Sequence, residues 1–324
     1  MKIIIGASTY GSLPRVHGFV RSFYGNLETT KHELITVVVD DGTPDMNAVR
    51  EREQFCQQRG FRFLRNEKNL GISATWNRIA SCEPDADLAL IFNDDTRFLA
   101  PGWLTRLVHF FENNDDVGTV GLPLVSDMGF KDDEPRWRGV PGRVGAAVGC
   151  AFAVQPKKLF TIKNSDDSLG FWDDLISFHE EIHLGFRMAE KGWISYMLPW
   201  SPLYHQGGAT FQASPELVWR EPSSYLSMDE FLTYARSLPW YVADYEKQYA
   251  EGTVDRMMFS RGMFCKYWGI LDRERMQNIP NYPELVDCWA EPQKFVHWKA
   301  VNPWPPRIVK YLDKDGKEQQ CETQ

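Results

Sequence analysis

The chain opens on a short apolar run, Ile3-Ile4-Ile5, whose β-branched side chains suit a strand buried on both faces. Gly, Ser and Thr from Gly6 to Ser12 predict a turn, and Pro14 is placed to begin a helix through about Tyr24. The alternation then repeats. Leu34 to Val39 predicts a second strand, stopped by Asp40-Asp41-Gly42-Thr43-Pro44. Asp45 to Gln58 predicts a helix closed by Gly60, Phe61 to Leu64 a third strand, and Ser73 caps a helix running to Ala80. Leu88 to Phe92 predicts a fourth strand, Pro101 to Glu112 a helix, and Val117 to Leu122 another strand. Strands spaced by helices predict an α/β fold with a mostly parallel central sheet and helices on both faces. Ligands of such sheets sit outside the carboxyl ends of the strands. Asp40-Asp41 and Asn93-Asp94-Asp95 both fall at such ends.

Downstream, Lys131 to Gly149 is rich in Gly, Arg, Pro and Trp and predicts a mobile loop, followed by a short strand, Ala151 to Val154. Phe178 to Lys191 predicts a helix stopped by Gly192, and Trp193 to Met197 a strand. Beyond about Pro215 the alternation fades. Helical spacing returns at Met228 to Arg236 and Tyr241 to Tyr249, and the tail from Pro280 to Pro306 reads as irregular. The expected organisation is one domain over 1–214, with halves of about 1–98 and 99–214, and a mainly helical or irregular extension over 215–324 packed on it.

Composition narrows the classes. A net charge of -8 argues against a nucleic-acid partner, which usually meets a basic face. The segment Arg256 to Arg275 is locally basic and aromatic, but reads more simply as a helix packed through Met257, Phe264, Tyr267 and Trp268. Cys56, Cys82, Cys150, Cys265, Cys288 and Cys321 show no C-x-x-C spacing, which predicts free thiols in a reducing compartment. The first apolar run is too short for a signal peptide, and no stretch reaches the roughly 18 apolar residues of a bilayer span. The expectation is a cytoplasmic protein with no transmembrane segment.

Five clusters offer chemistry. Ser8-Thr9-Tyr10 with Asp40-Asp41 places carboxylates where a nucleobase N–H could be accepted, although Asp-Asp-Gly-Thr-Pro is also good turn chemistry. Asn69-Leu70-Gly71 with Asn77 allows close backbone approach beside a helix start that favours an anion. Asn93-Asp94-Asp95 sets hard oxygen ligands on a rigid strand end. Glu180 and Glu181 point about 100° apart on a helix, so one of them can face a cleft as a general base. The surrounding His179-Glu180-Glu181-Ile182-His183 matches a zinc-protease motif by spacing alone and lacks a third ligand. His205, ahead of Gly207-Gly208, is a candidate metal ligand on a movable loop.

In this order the pieces resemble the inverting family 2 glycosyltransferases of the GT-A fold. The resemblance runs over roughly residues 1–210. It is carried by Ile3 to Tyr10, Val37 to Thr43, Arg65-Asn66 through Asn69-Leu70-Gly71 to Asn77, and Phe92 to Thr96. Gly149-Cys150-Ala151-Phe152, Glu180 to Arg187 with Gly192-Trp193, and His205 continue it. The resemblance implies a nucleotide-binding set of Ser8, Thr9, Tyr10, Asp40, Asp41, Asn69, Gly71, Asn77, Asn93 and Asp94. It implies Asp95 and His205 as ligands of Mn²⁺ or Mg²⁺, and Glu181, beside Glu180, as the general base. The implied partners are a nucleotide-diphosphate sugar, UDP-linked by default, and a carbohydrate or other hydroxyl-bearing acceptor. Three positions depart from the family pattern: Asn93 replaces the first acid of D-x-D, Glu181 is a methylene longer than the usual Asp, and His183 stands where many members have Asp. Arg136-Trp137-Arg138 to Arg143 is the candidate loop to close over the donor. The alternatives are a non-catalytic nucleotide-sugar binder, a nucleotidyltransferase on a related fold, and a glycosyltransferase acting on DNA bases.

Overall fold

The computed structural model describes residues 1–11, 13–122, 124–126, 139–144, 147, 149–164, 167–171, 180–199, 203–206, 236 and 307–323. Its elements are β1 (Lys2–Thr9), α1 (Leu13–Asn26), β2 (Glu33–Asp40), α2 (Met46–Gln58), β3 (Arg62–Arg65), α3 (Ile72–Ser81), β4 (Leu88–Asn93) and β5 (Thr96–Phe98). They continue with α4 (Trp103–Asn113), β6 (Val117–Gly121), β7 (Leu124–Ser126), β8 (Gly142–Val144), β9 (Ala151–Val154), α5 (Pro156–Leu159) and α6 (Glu180–Glu190). Last come β10 (Ile194–Met197), β11 (Leu203–His205), β12 (Arg307–Leu312) and β13 (Glu318–Thr323). The main sheet has the order β3-β2-β1-β4-β9-β6-β10-β8.

Alternation along β1 builds the two layers. Ile3, Ile5 and Ala7 pack with Val16, Phe19, Val20 and Phe23 of α1 on one face. Ile4 packs with Trp76, Ile79 and Ala80 of α3 on the other. The predicted turn at Gly6 is in fact strand, since β1 continues to Thr9 between parallel neighbours β2 and β4. Gly6 serves packing instead, because a Cβ there would overlap Ile79 Cγ2 of α3. Ser73 is not the cap of α3. Gly71 is, at φ 88°, and Ser73 lies buried in the first turn. The expected helices and strands at α2, β3, β4, α4, β6, β9 and β10 are present within a residue or two of their expected limits.

Two topological facts position the site. The chain moves outward from β1 to β2 and β3, then returns to β4 on the other side, so the sheet reverses direction between β1 and β4. At that reversal the loops after the two strands part and leave a crevice. Further, β9 runs antiparallel to both β4 and β6. Its first residue therefore lies beside the carboxyl end of β4, where Asn93 N donates to Cys150 O at 3.0 Å. A parallel β9 would have entered at the opposite edge.

The predicted mobile loop over Lys131 to Gly149 contains a strand: β8 pairs antiparallel with β10, and Arg143 is buried there. Arg136, Trp137 and Arg138 lie outside the described residues, as do the expected helices at 228–236 (except Arg236) and 241–249 and the proline-rich tail. The hairpin β12–β13 was not foreseen. Val309 and Tyr311 join the core beside Leu107 and Phe110 of α4. Asn114 completes the contact by donating to Lys310 O at 2.9 Å and accepting Lys310 N at 3.0 Å. Among the described residues no helix is long and apolar enough to cross a membrane.

Candidate active site

The ends of β1 and β2 are tied together from inside the chain. Asp40 is fully buried; it accepts Thr43 N at 2.9 Å and Thr43 Oγ1 at 2.7 Å, and pairs with Arg52 Nη2 at 2.8 Å. Asp41 turns the other way. It accepts Asn66 Nδ2 at 2.8 Å, Leu70 N at 2.9 Å and Gly71 N at 3.0 Å. Its carboxylate thus supplies the anion that the start of α3 favours. Burial raises the Asp41 pKa and those hydrogen bonds oppose the rise. Gly42, at φ 74°, lets this turn lie backbone on backbone against Lys68-Asn69, where a Cβ would overlap the Lys68 carbonyl carbon. Asn69 Oδ1 accepts Gly71 N at 3.0 Å. Asn77 makes a reciprocal pair with the backbone of Phe171, at 3.0 and 2.8 Å. Of the expected nucleotide set, Asp40, Asp41 and Asn77 therefore spend their polar atoms on shaping the loops. Ser8 is buried in register with Asn93, its Oγ 3.4 Å from Phe92 O and 3.3 Å from Asn93 Oδ1, and Tyr10 follows at the end of β1.

Across the crevice the acidic turn divides its labour. Asp94 is held inward: Thr9 Oγ1 donates to Oδ2 at 2.6 Å, and Arg15 Nε lies 3.1 Å from Oδ1. Burial pushes its pKa up to about 6 despite those partners. Asp95 faces the other way, with Oδ1 3.0 Å from His205 Nε2. Burial alone would raise the Asp95 pKa, but the hydrogen bond and charge of His205 hold it below the usual carboxylate range. His205 is pushed up to about 10, since Asp95 and the Cys150 thiol outweigh its burial. His205 is the last residue of β11, paired with Thr96 of β5, and so sits on a strand where a movable loop was expected. Gly207-Gly208 lies outside the described residues.

Glu181 enters from the start of α6. Its carboxyl lies against Gly149, where a built Cβ would stand 2.9 Å from Glu181 Cδ. Only glycine leaves that space. Desolvation pushes the Glu181 pKa up to about 7. Glu180 is buried, and it is Glu181 that meets the Gly149-Cys150 corner. His183 is buried with its pKa lowered well below the usual value, so it is a neutral imidazole. Trp172-Asp173-Asp174 and His179 lie outside the described residues.

Cys150 is the residue that links the pieces. Burial raises the pKa of its thiol, neighbouring His205 opposes the rise, and the charges of Asp95 and Glu181 add to it. The sequence offers Cys150 as one of six free thiols and as part of the Gly149-Cys150-Ala151-Phe152 segment of the resemblance, without a role of its own. Asp95, His205, Cys150, Gly149 and Glu181 thus form one contiguous group at the carboxyl end of β4. For a divalent ion, Asp95 offers a hard oxygen, and His205 an imidazole nitrogen once the ion displaces the proton that the Asp95 pairing holds there. Neither Asp95 Oδ1 nor His205 Nε2 makes a hydrogen bond to any third group. No set of three or more His, Cys, Asp or Glu able to hold a metal occurs among the described residues. The pair fits an ion that takes its remaining ligands from phosphate oxygens and water, a habit of Mg²⁺ and Mn²⁺.

Comparisons with known proteins bear on the family and the fold. The family described as glycosyl transferase family 2 matches residues 6–169. The crystal structure of GalNAc-T7 with UDP, GalNAc and Mn²⁺ is similar at a TM-score of 0.53 and 15% identity, over 78% of this chain and 54% of that one. S. aureus TarS 1-349 aligns over 98% of this chain and 96% of its own, at a TM-score of 0.49 and 15% identity. The uncharacterized protein y4gI of Sinorhizobium fredii (strain NBRC 101917 / NGR234) is 24% identical over 217 residues, which are 59% of this chain and 22% of that protein. The chain therefore spans about a fifth of that curated relative and about half of the GalNAc-T7 chain. With the family match covering half its length, the chain belongs to glycosyl transferase family 2 and carries a glycosyltransferase domain of the GT-A fold.

Proposed function

We propose that the chain transfers a sugar from a nucleotide-diphosphate donor, most simply a UDP-sugar, to an acceptor hydroxyl with inversion at the anomeric carbon. The observation that carries this reading is the adjacency of Glu181 to the Asp95–His205 pair through Gly149-Cys150. The proposed base and the proposed metal-holding pair then lie on either side of the Gly149-Cys150 corner. Mn²⁺ or Mg²⁺ on Asp95 and His205 would neutralise charge on the departing diphosphate. Glu181, with a pKa of about 7, takes the proton of the acceptor hydroxyl as that oxygen attacks. Ser8, Tyr10 and the Asn69–Gly71 loop border the nucleotide. UDP and Mn²⁺ in the GalNAc-T7 structure agree with this donor and ion.

Nucleotide release from UDP-, GDP- and dTDP-sugars, with Mn²⁺ or EDTA, tests the reading on wild type and Glu181→Gln. Metal-dependent release from one donor, lost in the variant, is the expected result. Calorimetry with the free nucleotides accompanies it. Absence of both release and binding would sink the proposal, and binding with no release for any acceptor would favour a nucleotide-sugar binder.

A further inference from the structure

Two arginines grip the Asn93–Thr96 turn, and the proposed chemistry uses neither. Arg97 Nη1 donates to two carbonyls at once, Asp94 O at 2.8 Å and Thr96 O at 2.8 Å. Those carbonyls flank Asp95, so the guanidinium spans the residue whose carboxylate meets His205. Arg15 holds the near side: Nε stands 3.1 Å from Asp94 Oδ1, and Nη2 donates to Tyr10 O at 2.6 Å. Asp94 N in turn donates to Ser8 O at 3.2 Å.

Space for Arg97 comes from α1. A Cβ at Gly18 would overlap Arg97 Cζ, Nε and Nη2. Glycine inside a helix is costly relative to alanine. Here that cost coincides with the place where a guanidinium must lie flat against the helix backbone.

We infer that Arg97, seated on Gly18 and assisted by Arg15, is a positioning residue that aims the Asp95 carboxylate at His205 and so sets the affinity of that pair for a divalent cation. The inference rests on Asp95 and His205 being the metal ligands proposed above. Outer hydrogen bonds to a ligand-bearing segment act in this way, and losing one typically weakens metal binding by about 10–100-fold.

Mn²⁺ binding to the full chain, with UDP present, is read from the electron paramagnetic resonance signal of the free ion. Thermal unfolding in EDTA is followed in parallel to report the fold. Gly18→Ala and Arg97→Met should each weaken Mn²⁺ binding by about 10–100-fold. Arg97→Lys should recover part of the loss, because it restores a cation without the planar fork. Gly18→Ala deletes no hydrogen-bonding group, so it decides the matter if Arg97→Met fails to fold. Affinity within about twofold of wild type in Gly18→Ala, with Asp95→Asn losing Mn²⁺, would overturn the positioning role and leave the metal assignment standing. Wild type that binds no Mn²⁺, or an Asp95→Asn variant that binds it normally, overturns the metal assignment and the positioning role together.

Discussion

Above neutral pH, Glu181 carries a charge in surroundings that disfavour it. Its pKa of about 7 in the folded chain, against 4.5 ordinarily, means the folded state binds more protons than the unfolded state between those values. Stability therefore falls as pH rises from about 4.5 to 7, then levels off. Glu181→Gln removes this dependence. The variant should melt at the same temperature as wild type near pH 4.5 and above it at about pH 8, while being inactive. Paired melting curves across that range check it, and a variant that melts lower at every pH would contradict the desolvation account. With Glu181 as the base proposed above, the sign for catalysis is opposite: wild-type kcat/KM should rise with pH to a plateau with a midpoint near 7, because a general base acts unprotonated. One side chain thus links loss of stability to gain of activity over the same pH window.

At the scale of elements, Asp41 shows how a strand end governs a helix start. Three N–H donors, from Asn66, Leu70 and Gly71, converge on its carboxylate from a loop some thirty residues away. Asp41→Ala leaves those donors without an acceptor and should cost about 2–3 kcal/mol in urea unfolding. A residue serving only to contact a base would change nucleotide affinity and leave stability alone, so the two measurements separate its roles. The same distance explains what the sequence hid. A run such as Leu88-Ala89-Leu90-Ile91-Phe92 followed by acids carries its own local signal, and β4 with its turn was legible from it. Gly6 looked like a turn because nothing nearby reveals Ile79 pressing on it. Ser73 looked like a cap because nothing local shows that Gly71, at φ 88° with its N–H on Asp41, begins the helix. The antiparallel sense of β9 is a tertiary fact with no local mark. It is what carries Cys150 and Gly149 to the site, so the grouping of site residues was less legible than their identities.

The whole molecule adds a second tie between its sequence extremes and its core. Tyr311 and Val309 are buried against α4, whereas Ile308, on the other face of the same strand, is 72% exposed. Tyr311→Ala should cost about 3 kcal/mol, and Ile308→Ala less than about 0.5 kcal/mol, in chemical denaturation. Equal effects at the two positions would mean that the hairpin does not dock. Arg106 strengthens the seat by donating to Asp313 O at 3.2 Å and Lys314 O at 3.0 Å, and His109 faces Glu318 at 3.7 Å.

That seat changes what residues 207–306 are to the molecule. They follow β11 and Gln206, whose N–H bonds Asp95 O at 3.4 Å, and they lead into β12 at Arg307, 3.5 Å from Asp116. Topologically they form an insert with both ends clamped, where a chain ending free would be a tail. The described fold is in this respect a chassis with a socket. β11 and the β12–β13 hairpin are the two pins that hold the ends of that connection.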